Sequence, residues 1–201
     1  MARPVEFDKE AARRQAVRLF WRKGYQATSL TDLISELGIS RSSFYAAFGD
    51  KRAFFLECLD LYAAFTLGLL AAARRETRPL PALRSFFELG LAPFGEDASS
   101  WGCLLINTSL EMAGEDEDLS AHANRYLSQV QAAFETTLLV GGIPRDQARD
   151  MAEFLMMLLS GLRVSGRRAQ PLAAQQRQIA TAFHVLSAAL GDRLNPKVTA
   201  P

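Results

Sequence analysis

The sequence is poor in the residues from which most catalytic and metal sites are built. Its 201 residues include two cysteines, Cys58 and Cys103, and two histidines, His122 and His184. Two cysteines this far apart make no disulfide scaffold, and they suit a reducing, cytoplasmic compartment. No His/Cys spacing suits a metal, and no G-x-S-x-G, G-x-G-x-x-G or P-loop pattern occurs. No catalytic residue, cofactor or metal is therefore expected. Valine and isoleucine are few and no segment alternates apolar with polar residues, which argues against a sheet. Leu61–Ala73 and Ala98–Leu110 are long stretches without Asp, Glu, Lys or Arg, 13 residues each. Both fall short of the roughly 20 apolar residues that a bilayer needs. Met1–Glu10 is polar and carries no cleavable signal. A soluble protein without membrane partners is expected.

What is present is helical. The apolar fraction of 49% is ample for a packed core. Ala, Leu, Glu, Gln and Arg dominate, and all are good helix formers. Apolar spacing and punctuation predict an all-α fold of about nine helices. The first four run over Asp8–Lys23, Leu30–Leu37, Arg41–Phe48 and Lys51–Arg75. The next three run over Pro81–Pro93, Gly102–Ala113 and Leu119–Val140, and the last two over Pro144–Val164 and Leu172–Leu190. The acidic run Glu115–Asp118 reads as a solvated turn. Charge is uneven although the net is only +1. Residues 1–52 hold 10 Lys and Arg against 6 Asp and Glu, and residues 53–201 hold 13 against 16. A basic head on an acidic body suits a protein that meets phosphates at one end. A boundary after residue 52 follows, between a basic 1–52 and an acidic 53–201.

The chemistry lies in residues 29–48. Ser29 with Asp32 resembles a capping box, and Leu30, Leu33, Ile34 and Leu37 form one apolar stripe. Gly38-Ile39-Ser40 is a three-residue turn, and Ser40 caps the next helix. Phe44 and Phe48 turn inward. Ser42, Tyr45 and Ala46 fall on the opposite face, flanked by Arg41 and Ser43. Two short helices joined in this way form a helix-turn-helix, whose second helix enters the major groove. Arg41, Ser42 and Ser43 can reach phosphates or base edges, Ala46 a thymine methyl, and Tyr45 a phosphate. Lys51, Thr28 and Ser29 stand at helix N-termini and are expected to hold backbone phosphates. An ordinary helical hairpin in a ligand-binding or scaffold protein has the same spacing.

From Leu19-Phe20 through Gly24-Tyr25, Thr28-Ser29, Gly38-Ile39-Ser40, Phe44-Tyr45, Phe48 and Lys51, the order and spacing resemble the N-terminal pattern of the TetR family of bacterial regulators. The family often has bulkier residues where this chain has Ala46-Ala47. The resemblance implies a three-helix DNA-binding head over 1–52, a helical regulatory body over 53–201 that binds an effector and a second subunit, and a homodimer on a palindromic operator. It also implies a small molecule that releases the DNA, so that the chain acts as a ligand-responsive repressor. The segment Gly102–Asn107 with Glu111 after it looks like a stretch found in one group of these regulators.

In the body, Phe65, Phe86, Phe87, Phe94, Trp101, Cys103, Asn107 and Met112 are candidates to line an effector pocket. Their aromatic character suits an apolar or aromatic effector. For each of them, plain core packing is the competing explanation. Cys103, in the first turn of a predicted helix, is either a sensor of oxidants and electrophiles or a small buried hydrophobe. Met151, Phe154, Leu155, Leu158 and Leu162 on the eighth helix, with Ile179, Phe183, Leu186 and Leu190 on the ninth, are candidates for a four-helix dimer interface. Periodicity alone leaves them equally suited to the core of one chain.

Overall fold

The computed structural model describes residues 7–75, 78–91, 100–168 and 170–190. Among these residues the secondary structure is helical throughout. The helices are α1 (Lys9–Lys23), α2 (Leu30–Leu37), α3 (Arg41–Phe48), α4 (Lys51–Ala73), α5 (Pro79–Leu89), α6 (Leu104–Met112), α7 (Glu117–Val140), α8 (Arg145–Gly166) and α9 (Leu172–Leu190). The boundaries follow local chemistry. Asp8 caps α1 by accepting the N–H groups of Glu10 and Ala11. α5 begins two residues before the expected Pro81 because Pro79, lacking an N–H, sits well in a first turn. α7 takes in Glu117 and Asp118, which favour its positive end, and Asp116 accepts the N–H of Leu119 at 3.0 Å. The acidic run is therefore half turn and half helix start.

The chain divides into two compact units, Met1–Phe65 with Cys103–Tyr126, and Thr66–Gly102 with Leu127–Pro201. In this packing α6 and the start of α7 join the N-terminal head. In the first unit, Phe20, Phe44, Phe54, Phe55, Leu33 and Leu59 are fully buried. Phe54 of α4 lies 5.3 Å from Phe44 and 4.0 Å from Phe48, ring centre to centre. Fully burying one such ring contributes roughly 1.5–3 kcal/mol. This contact ties α3 to α4.

In the second unit, Phe86, Phe87, Phe134 and Phe183 form an aromatic centre with separations of 5.2–6.0 Å. Leu83, Leu138, Leu155, Ile179 and Leu186 surround it. Here α7 ends against α5. A Cβ on Gly141 would stand 1.9 Å from the Pro79 ring, so only glycine permits that approach.

Among the described residues, α4 alone is long and apolar enough to cross a membrane, a possibility missed by counting uncharged runs. Its residues Phe54, Phe55, Cys58, Leu59, Tyr62, Ala63, Leu70 and Ala73 are buried in the protein, as in a core helix.

Candidate nucleic-acid interface

The N-terminal unit presents α3 by a chain of local contacts. Ser29 and Asp32 complete a reciprocal capping box. The Ser29 N–H donates to Asp32 Oδ2 at 2.8 Å, and the Asp32 N–H donates to Ser29 Oγ at 3.1 Å. The Ser29 hydroxyl also donates to Asp32 at 2.7 Å, and Lys23 stands 3.0 Å away. These hydrogen bonds from Ser29, with Lys23 beside them, hold the Asp32 carboxyl well below the usual range. Gly38 ends α2 with φ +64°, a left-handed conformation that glycine adopts without penalty. Ser40 then caps α3, accepting the Ser43 N–H at 3.0 Å, with its hydroxyl 2.9 Å and 2.8 Å from those of Ser42 and Ser43.

One face of α3 is buried through Phe44 and Phe48. The other carries Arg41, Ser42 and Ala46, all exposed, with Tyr45 47% exposed and Ser43 half-buried. The five expected groove-facing residues therefore share one accessible helix, and Ser29 is exposed as well.

Thr28 and Lys51 are placed differently from expectation. The Thr28 side chain is 0% exposed, and its hydroxyl donates to Gly24 O at 2.6 Å. Its N–H donates to Tyr25 O. The half-buried Lys51 ammonium donates to Tyr25 O and Thr28 O, each at 2.9 Å, and lies 4.2 Å from the centre of the Tyr25 ring. Burial lowers its pKa, and the nearby Glu111 carboxylate pulls in the other direction. Both residues place polar groups inside the head, shaping the turn before α2.

Sequence reasoning missed the acidic partners of this head. Glu111 of α6 accepts the N–H groups of Tyr25 at 3.0 Å and Gln26 at 2.9 Å. Arg52 makes a two-bond pair with Asp116 at 2.9 and 3.1 Å and reaches Asp118 at 3.4 Å. The Arg52 hydrogen bond lowers the Asp116 pKa to about 2. Asp60 of α4 receives the Tyr126 hydroxyl at 2.9 Å and faces His122 Nε2 at 2.6 Å. The acidic run after α6 read as a solvated turn, and Glu111 was singled out only by its resemblance to a stretch in related regulators.

The candidate effector residues are divided between the two units. Phe65, Cys103, Asn107 and Met112 belong to the first unit, and Phe86, Phe87 and Trp101 to the second. Phe94 lies outside the described residues. Phe86 and Phe87 are taken up by the aromatic core, and Met112 is 1% exposed, so packing occupies all three. Cys103 is the N-cap of α6, just before its first turn, and is buried, as is Cys58. Of the candidate interface residues, Leu155, Ile179, Phe183 and Leu186 are buried in the core of their own chain. Met151, Leu158 and Leu162 are half-buried against that core. Phe154 is 42% exposed, and Met157, Val164 and Val185 join it as exposed apolar residues that the sequence did not single out. The side chain of Leu190 lies outside the described set.

The helix-turn-helix geometry has counterparts in sequence. Residues 13–58 match the family model described as bacterial regulatory proteins, tetR family. Residues 79–181 match the model of the C-terminal domain of LmrA/YxaF-like transcriptional regulators. The chain belongs to the tetR family. The regulator is 30% identical over 185 residues to the HTH-type transcriptional repressor ComR of Escherichia coli (strain K12), covering 85% of this chain and 84% of ComR. It is 33% identical over 144 residues to the uncharacterized HTH-type transcriptional regulator YezE of Bacillus subtilis (strain 168), covering 69% and 72%. Its fold is similar to that of the cysteine-substituted TetR-family regulator CifR, solved with a 26-bp operator duplex. That match has a TM-score of 0.76 at 24% identity, and covers 91% of this chain and 98% of that one. The regulator is a DNA-binding transcription factor, not an enzyme.

Proposed function

We propose that the regulator is a homodimeric repressor that holds a palindromic operator and is released from it by a small apolar or aromatic molecule. The exposed face of α3 carries this proposal. It offers a guanidinium at Arg41, hydroxyls at Ser42, Ser43 and Tyr45, and a small Ala46 that permits close approach to a thymine methyl. Ser29 adds a hydroxyl and a helix N-terminus for backbone phosphate. Residues 1–52 make this contact, and the rest of the chain supplies effector binding and the second subunit.

Dimerisation is supported by Phe154, Met157 and Val164, at spacings of three and seven on one side of α8, with Val185 on α9. Apolar side chains of this size are suited to burial against a second copy about a two-fold axis. Two heads about one helical turn of DNA apart then read two half-sites. ComR is named a repressor, which favours repression over activation. The regulator acts in the cytoplasm, where its DNA and a reducing environment coincide.

The test is selection of bound duplexes from a random library at near-physiological salt. An enriched palindrome bound by a dimer supports the proposal. Recovery of no preferred sequence by a folded dimer refutes it.

A further inference from the structure

The turn between α1 and α2 is gripped from two sides by opposite charges. From α6, Glu111 places one carboxylate oxygen on the Tyr25 N–H and the other on the Gln26 N–H. From α4, Lys51 takes the carbonyls of Tyr25 and Thr28. The sequence is fitted to the first of these grips. Gly24 has φ +89°, and a Cβ there would stand 3.0 and 3.1 Å from the two Glu111 oxygens. Any larger residue would be strained and would also crowd the carboxylate. A carboxylate accepting two backbone N–H groups forms stronger, more directional bonds than a neutral acceptor would. The Thr28 hydroxyl, bonded to Gly24 O, closes the turn internally. Ser29, the cap of α2, follows directly, so the orientation of the turn becomes the orientation of the helix-turn-helix.

We propose that Glu111 is a positioning residue for DNA recognition: its carboxylate fixes the Gly24–Thr28 turn to α6, and selective operator affinity depends on that attachment. Glu111 itself touches no DNA. It removes freedom from the reading head before the head docks, and preorganisation of this kind raises affinity without adding a contact. Sequence-independent binding tolerates a looser head, because it needs phosphates near cations and no fixed register. The proposal rests on the DNA-binding function stated above.

The experiment compares full-length wild type with Glu111→Gln and Glu111→Asp. Glutamine keeps the shape but turns a donor toward one of the two N–H groups. Aspartate keeps the charge and is too short to reach both. Each protein is measured against the selected palindrome and a scrambled duplex at several salt concentrations. Amide hydrogen exchange of the peptide covering residues 24–28 is followed in parallel. Expected are faster exchange at 24–28, a tenfold or greater loss of affinity for the palindrome, and scrambled-duplex affinity and salt slope within twofold of wild type. Aspartate falls between wild type and glutamine. Both variants are assayed below their melting transitions, so lost fold is separated from lost position. Faster exchange with palindrome affinity within twofold of wild type overturns the proposal. So does unchanged exchange, or an equal loss on both duplexes. If wild type itself shows no selectivity, the operator function fails with it. Selectivity in wild type that survives Glu111→Gln removes this proposal alone.

Discussion

Lys51 separates two ways of using a cation at a helix N-terminus. If it holds phosphate, its removal weakens DNA binding and leaves the fold intact. The structure instead directs its ammonium to Tyr25 O and Thr28 O, both at 2.9 Å, under the Tyr25 ring. Lys51→Met keeps the packed stem and deletes only the charge and its donors. Hydrogen bonds to charged groups contribute roughly 1.5–3 kcal/mol each. Tyr25 O retains the Thr28 N–H, and removing a half-buried ammonium relieves its desolvation, so the two bonds do not count in full. A net loss of about 2 kcal/mol remains. For a chain of this length that lowers Tm by about 4–8 °C. A phosphate contact would instead show in the salt dependence of binding, as a fall of about 0.9 in slope per subunit, or about 1.8 for a dimer. Thermal unfolding of the variant and a salt titration on the selected duplex give both numbers. Lowered Tm with an unchanged slope is expected. An unchanged Tm with a slope reduced by more than one would refute the structural role of Lys51 and restore it to the DNA backbone.

Three further outcomes are expected. Gly141→Ala forces a methyl to within 1.9 Å of the Pro79 ring, and overpacking of this kind costs about 1–3 kcal/mol, seen as a reduced denaturation midpoint. An unchanged midpoint would mean that α5 and α7 part there without cost. Phe154→Asp together with Met157→Asp places charges on the exposed face of α8 and is expected to convert the proposed dimer to monomer in sedimentation velocity, with helix content retained; a persisting dimer would place the interface elsewhere. The third concerns acid. Asp116 titrates at about 2 when folded, held down by Arg52, against about 3.9 for a free aspartate. A lowered folded pKa gives stability that is present above about pH 4 and fades as pH falls toward 2. Asp116→Asn should therefore flatten the pH dependence of stability in that window, and an unaltered acid limb would show that the pair with Arg52 does not form in solution.

The helix-turn-helix was legible because its signals are local. A cap at Ser29, a stripe of Leu30, Leu33, Ile34 and Leu37, a glycine at 38 and a second cap at Ser40 lie within a dozen residues, and each acts on its neighbours. Burial of Phe44 and Phe48 followed from their spacing on an eight-residue helix. The internal bonds of Thr28 and Lys51 were not legible, because a residue at a helix N-terminus has two possible partners, a phosphate outside and a backbone carbonyl inside. The choice depends on where the preceding turn folds. That turn is fixed by Glu111, 85 residues from Gln26, and by Lys51, 26 residues from Tyr25, through bonds to backbone groups that no side-chain pattern encodes. The same limit applies to α8 and α9. A stripe such as Leu155, Ile179, Phe183 and Leu186 states that a face is apolar, and the residues that cover it come from α5 and α7 of the same chain. The proposed partner would cover Phe154, Met157, Val164 and Val185, which stay exposed once the intramolecular core is full. Exposed apolar residues beside a completed core are therefore better evidence of a second subunit than the stripe itself, because their burial still has to come from outside the chain.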